Sequence, residues 1–219
     1  MSRAADKSIA SLFPPEPMEA IVPGAFLLHG YAADQAKPLL RAIERIAAAS
    51  PFRNMVTPGG FTMSVAMTNC GTAGWITDRR GYRYAETDPL NDRPWPAMPK
   101  LIADLAARAA AAAGFNDFAP DACLINRYEP GARMSLHQDK DERDFTQPIV
   151  SISLGLPATF LFGGAKRSDR PRRLKLESGD IVVWGGPARL VFHGINPLPA
   201  GSDSLTGAVR YNLTLRKAR

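Results

Sequence analysis

Cysteines and long apolar runs are both scarce in this 219-residue chain. The two cysteines, Cys70 and Cys123, have no CxxC or other metal-type spacing, which argues against a disulfide framework and a cysteine-ligated zinc site. We expect two reduced, buried thiols. No stretch approaches the roughly 20 apolar residues of a membrane span, and the N-terminus lacks a signal-peptide core. The sequence therefore predicts a cytoplasmic protein without a membrane partner.

Acidic residues are fewer than basic ones. Lys and Arg number 27 and Asp and Glu 21, which gives a net charge of +6. This balance favours an anionic partner, with nucleic acid first. Histidine is scarcer still, with three in the chain, so the place of each one is informative.

Prolines and glycines are frequent, at 19 and 18, and favour short strands over a helical bundle. We expect a flexible arm over residues 1–20, followed by helices and loops over 21–120 that pack on a core over 121–219. Asp34 is a candidate N-cap for a first helix that ends near Ser50. A strand is predicted over 61–67, and a second helix over 98–113, with Gly114 just past its end.

From residue 121 onward the pattern consists of strands alone. Eight short alternating segments are separated by turns such as Pro130-Gly131 and Gly185-Gly186. This spacing predicts a two-sheet sandwich or barrel of the jelly-roll kind. The fold class is therefore mainly β with flanking helices.

The stretch "RMSLHQDKDE" places His137 two residues before Asp139. On an extended backbone both side chains point to one face, so they can converge on one ion, and His193 near the end of a later strand supplies a third ligand. Two histidines and one carboxylate are the ligand set of non-haem Fe(II) oxygenases, which keep open positions for a co-substrate and O2. The alternative is that His137 caps a strand beside a solvated acidic turn.

The last segment, "RYNLTLR", alternates strictly, so its polar residues share one face: Arg210, Asn212, Thr214 and Arg216. Polar groups facing the inside of a sandwich are costly unless they are paired. Two guanidiniums suit a ligand with two carboxylates, which beside Fe(II) indicates 2-oxoglutarate. Asn126 and Tyr128 are candidate donors to the same ligand. The alternative is an outward polar face on an edge strand.

Several segments resemble the bacterial AlkB family of Fe(II)/2-oxoglutarate-dependent DNA dealkylases: "PDACLINRY", "SLHQDKDE", "GDIVVWGG" and "RYNLTLR". The similarity runs from about residue 20 to residue 216. It implies a double-stranded β-helix (jelly-roll) core preceded by a nucleotide-recognition lid. The cofactors it implies are Fe(II), 2-oxoglutarate and O2. The metal ligands would be His137, Asp139 and His193, and the 2-oxoglutarate residues would be Asn126, Tyr128, Arg210, Asn212 and Arg216.

The resemblance also implies oxidative removal of alkyl groups from bases such as 1-methyladenine and 3-methylcytosine. The target base would lie between Trp75 and His137, with Asp141 near its exocyclic amine. The other implied contacts are Tyr82 and Thr57 with the nucleotide backbone, Met63 with the pocket, and Arg167 with the base or its phosphate. Asp141 shares the face of the ligands if the strand continues. Glu142 alternates to the other side and is expected to be solvated.

Other interpretations remain open. The basic segment over 166–175 either contacts phosphates or is a solvated hairpin. Trp75 alone fits a loop aromatic packed on the core, whereas Trp95 and Trp184 are expected in the core. We expect a monomer that prefers single-stranded DNA, with double-stranded DNA or RNA as further partners. The rival functions are the same chemistry on another substrate and a non-oxidative, cupin-like metal protein or sugar-binding sandwich.

Overall fold

The computed structural model describes residues 17–219. Of the predicted arm over 1–20, residues 1–16 lie outside this range, and the first strand begins inside the arm at Met18. The N-terminal elements are β1 (Met18–Val22), β2 (Ala25–Leu28), α1 (Ala36–Ala49), β3 (Arg53–Val56), β4 (Thr62–Gly71), β5 (Gly74–Asp78), β6 (Gly81–Ala85), β7 (Thr87–Asp88), β8 (Arg93–Pro94) and α2 (Lys100–Ala112). The eight predicted C-terminal strands are all present: β9 (Ala122–Tyr128), β10 (Met134–His137), β11 (Ile149–Gly155), β12 (Ala158–Phe162), β13 (Arg172–Leu176), β14 (Ile181–Trp184), β15 (His193–Ile195) and β16 (Arg210–Arg216).

The larger sheet has eight antiparallel strands in the order β1-β2-β14-β11-β16-β9-β4-β3. Strand β16 lies at its centre, paired with β11 on one side and β9 on the other. Four of its strands come from the part of the chain before residue 121, so this segment completes the sheet as well as packing on it. Every residue of β16 is buried except the half-buried Tyr211, so this strand is covered on both faces.

The smaller sheet has four strands in the order β10-β15-β12-β13. Its inward side chains, such as Phe160 and Phe162, pack against Trp184 and Leu124 of the larger sheet. The two sheets thus enclose one core, and the predicted jelly-roll is confirmed. At one end of this core β10 and β15 bring His137 opposite His193.

The helices cover the outer face of the larger sheet. Leu39 and Ile43 of α1 and Leu105 of α2 pack on the apolar face of β16, which carries Leu213 and Leu215. This face accounts for the strict alternation of β16, since its polar residues then face the space between the sheets. No helix within residues 17–219 has the length and hydropathy needed to cross a membrane.

Two helix-end predictions had different outcomes. The assignment of Asp34 as a side-chain N-cap is wrong, because it lies in a single 3-10 turn before α1 and caps nothing. Gly114 is confirmed at the end of α2, where its φ of 85° is in the left-handed region. The amide of Phe115 there donates to the carbonyl of Ala110, as expected for a glycine-terminated helix.

Candidate metal and nucleotide site

Three predicted ligands meet at one end of the core. His137 is the last residue of β10, His193 is the first of β15, and the two are register partners. Their Nε2 atoms each lie 3.7 Å from an oxygen of Asp139. One ligand atom from each residue lies within 4.8 Å of the others. A single ion can therefore contact all three.

The two imidazoles are oriented in the same way. The Nδ1 atom of His137 lies 2.9 Å from the carbonyl oxygen of Ser135, and that of His193 lies 3.1 Å from the carbonyl of Val191. A carbonyl can only accept, so in the neutral form of each ring the proton sits on Nδ1. The lone pair of each Nε2 then points toward the shared space, which is the tautomer that binds a metal.

The charges at the site suit a divalent cation. Burial would raise the pKa of Asp139, but the Arg216 guanidinium and the two histidines outweigh it and hold the pKa below its usual range. Burial, together with repulsion from His137, lowers the pKa of His193 to about 3. The site therefore offers one carboxylate and neutral imidazole, as metal coordination requires.

Arg210 is a buried cation at the far end of the same pocket. Its side chain donates to the Ser153 hydroxyl at 2.7 Å and to the Leu156 carbonyl at 3.2 Å, while its Nε has no partner. Within residues 17–219 no carboxylate lies at salt-bridge distance from it. Burial lowers its pKa to about 10, so it remains charged near neutral pH. An unpaired buried guanidinium beside a metal site fits the second carboxylate of a diacid.

A chain of polar contacts joins β9, β16 and β11 between Arg210 and the metal ligands. Asn212 donates to the Ser151 hydroxyl at 2.7 Å and accepts from Thr214 at 2.9 Å and from Asn126 at 3.2 Å. The hydrogen-bonding groups of Asn212 are thus engaged within the protein. Asn126 keeps a buried carbonyl oxygen without a partner, and the neighbouring Tyr128 is buried opposite Arg210.

Arg216 lies directly beside the metal ligands. Its Nε and Nη2 both donate to Oδ2 of Asp139, at 3.0 and 2.7 Å. Its Nε also lies 3.4 Å from the carboxylate of Glu142. Arg216 lines the same pocket as Arg210. It therefore fixes the metal-binding carboxylate, and only its remaining nitrogen, Nη1, is free of these contacts.

Trp75 and Tyr82 form an aromatic pair on hairpin β5–β6, which lies within the segment predicted to contain the lid. Their rings are stacked with centroids 5.7 Å apart, and Tyr82 is half exposed. The Trp75 indole donates to Asp141 at 2.8 Å. Both backbone polar groups of Trp75 bond to the buried amide of Asn69, each at 3.0 Å. The structure thus brings the predicted stacking residue and the predicted base-reading carboxylate into contact.

The other three predicted substrate residues have separate surroundings. Thr57 lies in the turn between β3 and β4, where its hydroxyl accepts from the amide of Phe61. Met63 is partly buried against the core. Arg167 is exposed, and its guanidinium lies 5.2 Å from the centre of the Phe192 ring, next to His193 in sequence. None of these contacts joins them to the metal ligands.

The expectation for Glu142 is wrong. Its side chain is 1% exposed and accepts from Tyr84 at 2.6 Å and from Arg189 at 3.0 Å. Strand β10 ends at His137, so alternation no longer applies five residues later. Arg189 and Tyr84 were missed because they reach Glu142 from segments 47 and 58 residues away. The serines of β11, Ser151 and Ser153, could have been found from their alternation in "PIVSISLG".

Three comparisons with known proteins agree with this geometry. The model of the 2OG-Fe(II) oxygenase superfamily matches residues 24–216. The chain is 61% identical to the alpha-ketoglutarate-dependent dioxygenase AlkB of Salmonella typhimurium, over 91% of this chain and 93% of that protein. It is 60% identical to that of Escherichia coli, with the same coverage. The solved structure of OsALKBH1 matches with a TM-score of 0.81 and 29% identity, over 92% of this chain and all of that one.

Proposed function

The chain belongs to the AlkB family within the 2OG-Fe(II) oxygenase superfamily, and we propose that it repairs N-alkylated bases in DNA by oxidative dealkylation. It is a dioxygenase that uses Fe(II), 2-oxoglutarate and O2. Its substrate is nucleic acid. Within that class we assign it bases of the 1-methyladenine and 3-methylcytosine type, with single-stranded DNA preferred, and a monomeric state.

Different residues of the pocket are assigned to the metal and to 2-oxoglutarate. His137, Asp139 and His193 would hold the metal, and the backbone carbonyls behind the two histidines favour the tautomer of the neutral ring that directs the Nε2 lone pair at it. Arg210 and Tyr128 receive the distal carboxylate of 2-oxoglutarate, with Asn126 and Asn212 beside them and Arg216 at the metal end. When bound, Fe(II) and 2-oxoglutarate would supply the hydroxylation of an N-methyl group by O2, in which the methyl carbon leaves as formaldehyde and 2-oxoglutarate is converted to succinate and CO2.

The substrate base reaches the metal by leaving its stack, which costs less in a single strand than in a duplex. Trp75 replaces the lost stacking on one side, opposite His137. The carboxylate of Asp141 accepts from the exocyclic amine and favours a base made cationic by alkylation. Tyr82 and Thr57 contact the nucleotide backbone, Met63 lines the pocket, and Arg167 approaches the base or its phosphate.

The observation that carries this proposal is the unpaired, buried Arg210 in the pocket that also contains the three-ligand cluster. A non-oxidative metal protein has no need of it. The test is to add Fe(II) and 2-oxoglutarate without O2, then O2 with an oligonucleotide that contains one 1-methyladenine. Mass spectrometry then reports loss of one methylene unit, and succinate is measured in parallel.

His137→Ala is expected to abolish both products, whereas His29→Ala, at a histidine that faces Glu19 and Asp180, is expected to retain them. The same assay is run in parallel on single-stranded DNA, duplex DNA and RNA, and the extent of demethylation shows which nucleic acid is preferred. If succinate forms but none of these nucleic acids is demethylated, the assignment of the iron site stands and the assignment of the substrate is wrong. Absence of both products from the wild-type protein would reject the metal assignment itself.

A further inference from the structure

Four buried charged side chains next to the metal ligands form a compact cluster. Asp139, Glu142, Arg189 and Arg216 have side chains between 1% and 8% exposed. Two carboxylates and two guanidiniums balance in charge, and each carboxylate receives charge-assisted hydrogen bonds. Removing one member of such a cluster leaves a buried charge uncompensated. The positions of these four groups are therefore tightly coupled.

Arg189 holds the loop after β10 in place. It donates to the backbone carbonyl of Asp139 at 2.7 Å, to that of Gln147 at 3.0 Å and to the Glu142 carboxylate at 3.0 Å. The loop that carries Asp139, Asp141 and Glu142 is thus fastened at both ends by one guanidinium. Glu142 and Asp139 are linked twice, through Arg189 and through Arg216, which contacts both carboxylates.

Hairpin β5–β6 enters this cluster through Tyr84. The Tyr84 hydroxyl donates to Glu142 at 2.6 Å, and burial raises its pKa, so the phenol keeps its proton. Tyr84 is the register partner of Trp75, so the two side chains lie side by side on one face of the hairpin. Trp75 contacts Asp141 and Tyr84 contacts Glu142, the next residue of the loop. The exposed contact is the weaker of the two, because water competes for it.

We propose that Tyr84 and Glu142 are positioning residues that couple hairpin β5–β6 to the metal-binding carboxylate of Asp139. A base that displaces Trp75 also shifts Tyr84, which changes how Arg216 is shared between Glu142 and Asp139. Substrate binding and metal binding then affect each other, and by linkage the effect is equal in both directions. This inference rests on the proposed function, because an alkylated oligonucleotide is the ligand of the hairpin.

The test measures metal binding without turnover. Co(II) is titrated anaerobically into the protein with 2-oxoglutarate, with and without a 1-methyladenine oligonucleotide, and its visible absorption gives the dissociation constant. Binding of the oligonucleotide is followed separately by fluorescence anisotropy. In the wild-type protein we expect the oligonucleotide to change the Co(II) dissociation constant about fivefold, the lower end of common coupling strengths.

Tyr84→Phe is expected to reduce this change to less than about twofold, because the ring remains and only the link to Glu142 is lost. Tyr211→Phe is the matched control, since its ring packs on Phe52 outside the cluster, and it should behave as the wild type does. Glu142→Gln, which keeps a partner for Tyr84 but not the charge, should also lose the coupling and serves if Tyr84→Phe does not fold.

The inference would be overturned if folded Tyr84→Phe or Glu142→Gln showed the same oligonucleotide-induced change in the Co(II) dissociation constant as the wild type. It would also be overturned if the wild-type protein bound the oligonucleotide without any change in that constant. A wild-type protein that neither binds nor demethylates the oligonucleotide would overturn the proposed function as well. The anisotropy and demethylation measurements distinguish these two failures.

Discussion

The indole nitrogen of Trp75 lies 2.8 Å from Oδ2 of Asp141 and donates a hydrogen bond to it. The proposed stacking residue and the proposed base-reading residue are therefore partners of each other. Under the proposed function, a base that enters between Trp75 and His137 would take over the Asp141 acceptor, so its recognition would begin with an exchange of donors at one carboxylate.

Asp141→Asn tests whether the charge of this carboxylate selects cationic bases. The amide still accepts from Trp75, but it no longer attracts a positive base, an effect of about 1 kcal/mol at an exposed site. We expect kcat/KM for 1-methyladenine to fall about fivefold relative to that for the neutral base 3-methylthymine. Steady-state kinetics on matched oligonucleotides measure the ratio. Asp144→Asn in the same loop, where the carboxylate bonds to Thr146, is the control. Equal losses on both bases would argue against charge selection.

Arg210→Met separates folding from ligand binding. The substitution removes the cost of burying a cation and leaves no carboxylate unpaired, which offsets the loss of the hydrogen bonds to Ser153 and Leu156. Without 2-oxoglutarate we expect a Tm equal to or above that of the wild type. With 2-oxoglutarate and Co(II), the wild-type Tm should rise and that of the variant should not, since ligand stabilisation follows affinity. Thermal unfolding measures both, with the exposed Arg173→Met as control. A variant still stabilised by 2-oxoglutarate would reject the role of Arg210.

Gly194→Ala is expected to weaken metal binding. A Cβ at Gly194 would lie 2.6 Å from the carbonyl oxygen of Met134, so strands β10 and β15 must move apart. These two strands carry His137 and His193. Displacement of these ligands should raise the Co(II) dissociation constant about tenfold, which is the effect of removing a hydrogen-bond partner from a metal ligand. Gly59→Ala is the control, because its Cβ would make only ordinary contacts. Unchanged Co(II) affinity would show that the strands adapt.

Asp88→Asn should alter the acid sensitivity of folding. This buried carboxylate accepts from Ser50 at 2.5 Å and pairs with Arg53 at 2.9 Å. Burial raises its pKa, but these bonds outweigh burial and the net pKa is lowered. The folded state then binds fewer protons than the unfolded state, so this stabilisation is present above about pH 4 and is lost as pH falls through the folded pKa.

Urea unfolding at pH 7 and at pH 3 measures this effect. The variant should be less stable than the wild type at pH 7, and the difference should shrink at pH 3. Asp104 is exposed and paired with Lys100, so Asp104→Asn should change the stability little at pH 7. A stability difference that stays constant with pH would contradict the assignment.

Local pattern was sufficient for much of the fold. The alternation of β16 predicted both its polar and its apolar face, and the pairing of β10 with β15 then brought His137 to His193. Prediction failed where the strand ended. Beyond His137 the strand pairing ends, so the position of Glu142 depends on distant partners. The cluster around Arg189 requires contacts between remote segments, which no periodicity in a single segment reveals.

The carbonyls of Ser135 and Val191 orient the two metal-binding imidazoles, and each is a main-chain group two residues before its histidine. Any amino acid at positions 135 and 191 supplies the same acceptor. In many metal sites this outer contact is a side chain that a single substitution can delete. Here mutational drift at the neighbouring positions leaves the ring tautomers intact, so the ligand set can persist while the surrounding sequence diverges.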